Sequence, residues 1–157
     1  MIDTPTILQS AETPIALIHI TVPREEIQAV MGPGYAELMG ALQAQGVAPA
    51  GPWLTHHLRM SPEVFDFELA VPVRGTVQPV GRVRMGALPA RTLARTTYRG
   101  PFEGLPDAWD AFMAWVTAAG HTPAADLWEV YVRGPEASAD PAEWETQLNR
   151  PLLHAAD

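Results

Sequence analysis

One short segment of this chain occurs twice, and it constrains the fold more than any other feature. Gly46-Val47-Ala48-Pro49-Ala50 leads to Trp53, and Gly120-His121-Thr122-Pro123-Ala124 leads to Trp128. Gly-x-x-Pro-Ala is what a helix exit needs. Glycine adopts the left-handed conformation at the cap, and proline cannot continue the helix. A second pair of anchors follows, Pro72-Val73 and Pro151-Leu152. The helix ends lie 74 residues apart and the strand ends 79, a difference that a few loop residues absorb. The chain therefore reads as two similar halves, pseudo-repeats over about 10–75 and 80–153, within one domain spanning 1–157. Aligning Trp53 with Trp128 sets His56 against Tyr131, and the second anchor sets Glu68 against Gln147.

Local patterns fill in each half. Ile15–Val22 is rich in β-branched residues and predicts a strand that Pro23 ends. Arg24–Met31 predicts a short helical turn, broken at Gly32-Pro33-Gly34. A new helix then carries Tyr35, Leu38, Met39 and Leu42 to a cap at Gly46. Trp53–Met60 and Val64–Val73 predict strands. In the second of these Phe65, Phe67, Leu69, Val71 and Val73 share one face, and Asp66 and Glu68 the other. Gly75–Gly81 reads as a loop. Val83–Leu88 and Leu93–Tyr98 read as a hairpin around Pro89. A helix over Pro106–Ala119 buries Leu105, Trp109, Phe112 and Val116 and is capped by Gly120. Leu127–Arg133 predicts a strand, Pro135–Pro141 a polar loop, and Trp144–Asn149 a last strand ended by Pro151. The tail after Leu153 is expected to fray. The fold class is α+β: duplicated strand-helix-strand-strand halves, antiparallel sheets, and a ligand cleft expected between the halves.

Composition excludes several functions. Net charge is −8, which lacks the basic stripe that nucleic acid requires. With no cysteine there is no disulfide framework, zinc ribbon or thiol nucleophile. No apolar run approaches the roughly 20 residues that span a bilayer. No secretory leader is evident in Met1–Ser10, so a cytoplasmic location is expected. No phosphate loop, nucleophile elbow or metal signature implies a cofactor. His56-His57 is a poor metal pair, since strand neighbours point opposite ways.

Several stretches taken in order resemble the gyrase-inhibitor-like domain, also the effector-binding domain of bacterial multidrug-sensing transcription activators. They are Leu88-Pro89-Ala90, Tyr98-x-Gly100-Pro101-Phe102, a helix with Trp109 and Trp115, Leu127-Trp128-Glu129-Val130-Tyr131, and Thr146-Gln147-Leu148-x-x-Pro151-Leu152. Phe65–Val73 resembles that family's mid-chain strand, and the likeness extends over Ile15–Leu153. It implies a duplicated α+β fold and an aromatic pocket for bulky, often cationic organic molecules. It also implies that Glu129 is the buried acid meeting the ligand's charge and Tyr131 a pocket aromatic. No DNA-binding segment is evident ahead of Ile15, so the chain is not expected to be the activator itself. Gln147 stands where relatives commonly carry an acid.

The residues carry their own argument. In a strand, Glu129 and Tyr131 share a face. A carboxylate there is costly to bury unless paired, and a ligand cation over nearby aromatic faces is one partner. Pairing with Arg133, Arg84 or another basic residue at the surface is the other reading. Glu68 either lines the same cavity or belongs to a solvated face. His56, with Leu54, is expected to face Glu129 and Tyr131 across the seam. Trp53, Tyr35, Tyr98, Trp109 and Trp115 are candidate walls or core. Three functions follow. The first is a stand-alone binder of a bulky hydrophobic compound, cationic or neutral. The second is a hydrolase of electrophilic small molecules using Glu129 and Tyr131. The third is a module that inhibits DNA gyrase or engages another protein, such as a regulator.

Overall fold

The computed structural model describes residues 2–134 and 137–153. Part of the expected Pro135–Pro141 loop, and the expected frayed tail, lie outside the described residues. In chain order the elements are β1 (Thr6–Gln9), β2 (Thr13–Pro23), α1 (Ile27–Ala44), β3 (Leu54–Met60), β4 (Val64–Pro72), β5 (Arg84–Leu88), β6 (Thr92–Arg99), α2 (Leu105–Ala118), β7 (Thr122–Pro123), β8 (Leu127–Arg133) and β9 (Glu145–Leu153). Single 3₁₀ turns, Arg24–Glu26 and Phe102–Gly104, lead into the two helices.

The chain divides into two compact units, Ala11–Ala90 (the N-unit) and Met1–Ser10 with Arg91–Asp157 (the C-unit). In the N-unit β4 pairs with β3 and β2, and β2 pairs with β5, all antiparallel. In the C-unit β9 pairs with β6, β8 and the two-residue β7, and β1 completes the sheet on β6. The α+β class and the duplication hold. The expected hairpin does not, because its two strands form but belong to different units. Pro89-Ala90-Arg91 supplies no glycine or asparagine for a tight hairpin turn, so each strand satisfies its ladder on distant partners.

Both helices end identically. Gly46 has φ 69° and Gly120 φ 87°. The N–H of Gly46 donates to Gln43 O and that of Val47 to Leu42 O. Gly120 and His121 donate to Thr117 O and Val116 O in the same way. Ala50 N–H then donates to Pro72 O, and Ala124 N–H to Pro151 O, each at 2.8 Å. The repeated sequence is thus a repeated set of backbone bonds.

Two expected breaks are absent. Helix α1 runs through Pro33. Ile27, Val30 and Met31 before it, and Gly34, Leu38, Ala41 and Leu42 after it, form one stripe packed on the same core. That burial outweighs the one helical hydrogen bond proline forfeits. Gly34 serves close approach rather than a break, since a Cβ there would lie 2.8 Å from Leu69 Cδ2. Likewise β9 continues past Pro151, because Thr122 and Pro123 pair with Leu153 and Leu152.

Each helix covers one face of its own sheet. Under α1 lie Ala16, Ile18, Ile20, Phe67, Leu69 and Val71. Under α2, Phe112 and Val116 meet Ala94, Tyr98, Leu148 and Leu152.

Candidate functional site

Register decides which residues share those covered faces. Glu129 pairs with Leu148 and Tyr131 with Thr146, so both project to the α2 side. Glu129 is buried, 9% exposed. Trp109, one helical turn before Phe112, donates its Nε1–H to Glu129 Oε2 at 2.6 Å. Tyr131 donates its hydroxyl to Oε1 at 2.8 Å. Both donors are uncharged. Among the described residues no arginine or histidine forms an ion pair with Glu129, which disposes of the expected surface pairing with Arg133 or Arg84. Burial raises the Glu129 pKa above the ordinary carboxylate value, and the bonds from Trp109 and Tyr131 pull against that rise.

Two aromatics beyond the expected set extend the cluster. Phe102 stands edge-on to Tyr131 with centroids 6.0 Å apart, and Trp144 lies 4.8 Å from Phe102. Trp144 is anchored by its Nε1–H to Ser138 O, which leaves the indole face apolar. The available signal for Phe102 was its place at the helix entry, after Gly100-Pro101.

The other expected residues divide. Tyr98 is on the α2 side but belongs to the core. Its hydroxyl donates to Pro101 O, and the ring is packed so closely under Gly104 that no side chain fits there. Trp115 packs against the same core. Gln147 pairs with Val130 and Thr97, so it projects to the face opposite Glu129.

In the N-unit Tyr35 and Trp53 form a tilted aromatic pair, centroids 4.9 Å apart, on the α1 side. His56 pairs with Glu68 in the β3–β4 ladder, and His56 Nδ1 lies 3.5 Å from Glu68 Oε1. Arg84 Nη2 approaches the same carboxylate at 3.8 Å. That face is the one away from α1, because the residues under α1 are Phe67, Leu69 and Val71.

The alignment of the halves needs a one-residue correction. Thr55 pairs with Leu69 and Glu129 with Leu148, each three residues before the anchor prolines. Both β3 and β8 carry a bulge at the same place, His57/Arg59 and Tyr131/Arg133. The counterpart of Glu129 is therefore Thr55, and that of Tyr131 is His57 rather than His56. Leu54 and His56, expected to mirror the Glu129 face, project away from α1. A slip of one residue moves a whole strand to its other face. Carried along the helices, the same offset sets Tyr35 against Trp109.

His57 is buried on the α1 side, stacked 5.3 Å from Phe67 and edge-on to Phe65 at 5.4 Å. Burial chiefly, with the charges of His56 and Arg24, lowers its pKa to about 4. Its Nδ1 and the Thr146 hydroxyl are buried polar atoms without a hydrogen-bond partner among the described residues. They fall in equivalent cross-strand pairs, His57–Phe67 and Tyr131–Thr146.

The C-unit of this duplicated strand-helix-strand-strand fold thus holds a buried acid beneath a helix tryptophan. The sequence matches the GyrI-like small molecule binding domain over residues 3–152, and the chain belongs to that family. Among solved structures it is similar to the EcmrR C-terminal domain, with a TM-score of 0.83 at 22% identity, covering 97% of this chain and 98% of that one. EcmrR in its DNA complex gives 0.83 at 20%, covering 97% of this chain and only 58% of that one. SAV2435 bound to tetraphenylphosphonium gives 0.69 at 12%, covering 96% and 94%. No curated protein matches the sequence. Among the described residues no helix is long and apolar enough to cross a membrane.

Proposed function

We propose that this chain binds lipophilic organic cations and that Glu129 receives the positive charge. One observation carries the reading: a buried carboxylate held by Trp109 and Tyr131, with no basic partner among the described residues. An uncompensated buried charge costs about 3–5 kcal/mol when its partner is removed, so such a site favours an arriving cation. The rings of Trp109, Tyr131, Phe102 and Trp144 supply apolar area, and a cation over an aromatic face gains about 0.5–2 kcal/mol more. SAV2435, bound to a quaternary phosphonium, supports the same ligand class.

Calorimetric titration with tetraphenylphosphonium tests this. Wild-type protein is expected to bind it, and Glu129→Gln to bind at least about ten-fold more weakly. Triphenylphosphine oxide, neutral and of similar shape, is expected to bind weakly to both. Equal affinity of the two proteins for the cation would refute the role of Glu129.

A further inference from the structure

The face of the C-unit sheet away from α2 carries a charge without a counter-charge. Register aligns Thr6, Arg95 and Asn149 in one row and Thr97 and Gln147 in the next. Asn149 is fully buried and spends both ends of its amide. Its Oδ1 accepts from Arg95 Nε at 2.6 Å, and its Nδ2 donates to Gln147 Oε1 at 3.2 Å. This relay has a direction. It engages the amide oxygens of Asn149 and Gln147 and leaves donors over: both Nη groups of Arg95 and the Nε2 of Gln147. The Thr97 hydroxyl stands beside them. None of these has a hydrogen-bond or ion-pair partner among the described residues. The acid further along this face, Glu145, is engaged by Arg99 at 3.4 Å.

The equivalent face of the N-unit shows the contrast. There Glu68, the counterpart of Gln147, meets His56 and Arg84, and Asp66 meets His19 at 2.6 Å and Arg59 at 3.1 Å. Acids and bases are matched on that sheet. On the C-unit face the Arg95 guanidinium is half-buried, burial lowers its pKa, and it forms no ion pair among the described residues.

We infer that Arg95, Gln147 and Thr97 form a second binding site, for the carboxylate of a small organic acid, on the face opposite Glu129. A guanidinium fork matches a planar carboxylate through two parallel N–H···O bonds, which favours it over a point charge or a tetrahedral anion. Gln147 and Thr97 add neutral donors, and Asn149 holds the fork's orientation. The site is independent of the cation reading, since Glu129 projects from the other side of the sheet.

The test is a ¹⁵N NMR titration of the whole chain with sodium benzoate, following the Arg95 Nε–H and Gln147 side-chain amide signals. Saturable shifts of both are expected. Arg95→Gln is expected to weaken binding at least about ten-fold. Gln147→Glu places a carboxylate inside the site; it is expected to raise Tm and to abolish benzoate binding while leaving tetraphenylphosphonium affinity unchanged. Shifts that persist in Arg95→Gln, or no saturable shift at all, would overturn the site. Tighter binding of sulfate than of benzoate would overturn the carboxylate specificity. Binding of an acetyl-aspartyl peptide without benzoate would overturn the small-molecule assignment.

Discussion

The two units share one plan and differ in the three side chains that make up the acid cluster. On the helix-covered face the C-unit carries Trp109, Glu129 and Tyr131, and the N-unit carries Tyr35, Thr55 and His57 at the same register positions. The backbone devices around them are alike: the glycine caps, the strand bulges and the carbonyls of the anchor prolines. The duplicated scaffold therefore demands neither an acid nor an aromatic pair at these points. Among the described residues only the C-unit holds a buried carboxylate, and two donors there hold the group without neutralising it. The N-unit has a neutral threonine and an imidazole held neutral by burial. On the proposed reading, charge recognition belongs to the C-unit, and its twin presents an uncharged aromatic face.

The largest expected effect comes from copying the acid into the twin. Thr55 is fully buried, and the helix position of Trp109 is filled in the N-unit by Tyr35, so Thr55→Glu would meet a phenol there instead of that indole. A loss of about 3–5 kcal/mol is expected by urea denaturation. A much smaller loss would mean that His57 takes up a proton and pairs with the new acid, which an NMR titration of His57 would reveal. The reverse change, Glu129→Gln, is expected to leave the ligand-free protein as stable as wild type at neutral pH, or more so, while weakening cation binding. A strongly lowered Tm without ligand would show that the carboxylate is structural.

The units should also respond to pH with opposite sign. The folded pKa of His57 lies near 4 and the unfolded value near 6.5. Its contribution to stability is present above pH 6.5 and is lost as pH falls toward 4, by up to about 3 kcal/mol. The folded pKa of Glu129 is raised. Its contribution is full below its unfolded pKa and is lost as pH rises through the folded one. Tm measured against pH for His57→Phe should lose the acid-side slope. For Glu129→Gln it should lose the opposing one. Tetraphenylphosphonium affinity should fall as the pH drops through the Glu129 pKa, because the protonated acid carries no charge. A pH-independent affinity would contradict that link.

Smaller effects probe the helix seats. Gly34 in α1 corresponds to Ala108 in α2, so the N-unit helix has room for one methyl less. Gly34→Ala is expected to cost about 1–3 kcal/mol, as Leu69 must move aside, measured by the denaturation midpoint. A neutral result would show that Leu69 rotates freely and that the tight seat is incidental.

Much of this architecture was legible in the sequence because it depends on local chemistry. Gly46 and Gly120 mark helix exits through backbone conformation alone. Alternation along Val64–Val73 separates a core face from a polar face. The shared face of Glu129 and Tyr131 follows from the two-residue strand period. The tertiary structure decided what depends on distant partners. It carried α1 through Pro33, because an apolar stripe on both sides had a core to bury against. It separated β5 from β6, because strand pairing is chosen by the whole sheet and not by the nearest neighbour. It shifted the repeat by one residue, exchanging His56 for His57 and sending Gln147 to the opposite face from Glu129. Side chains two apart share a face from sequence alone, but which face a helix covers, and which indole then reaches the acid, is set only when the layers pack.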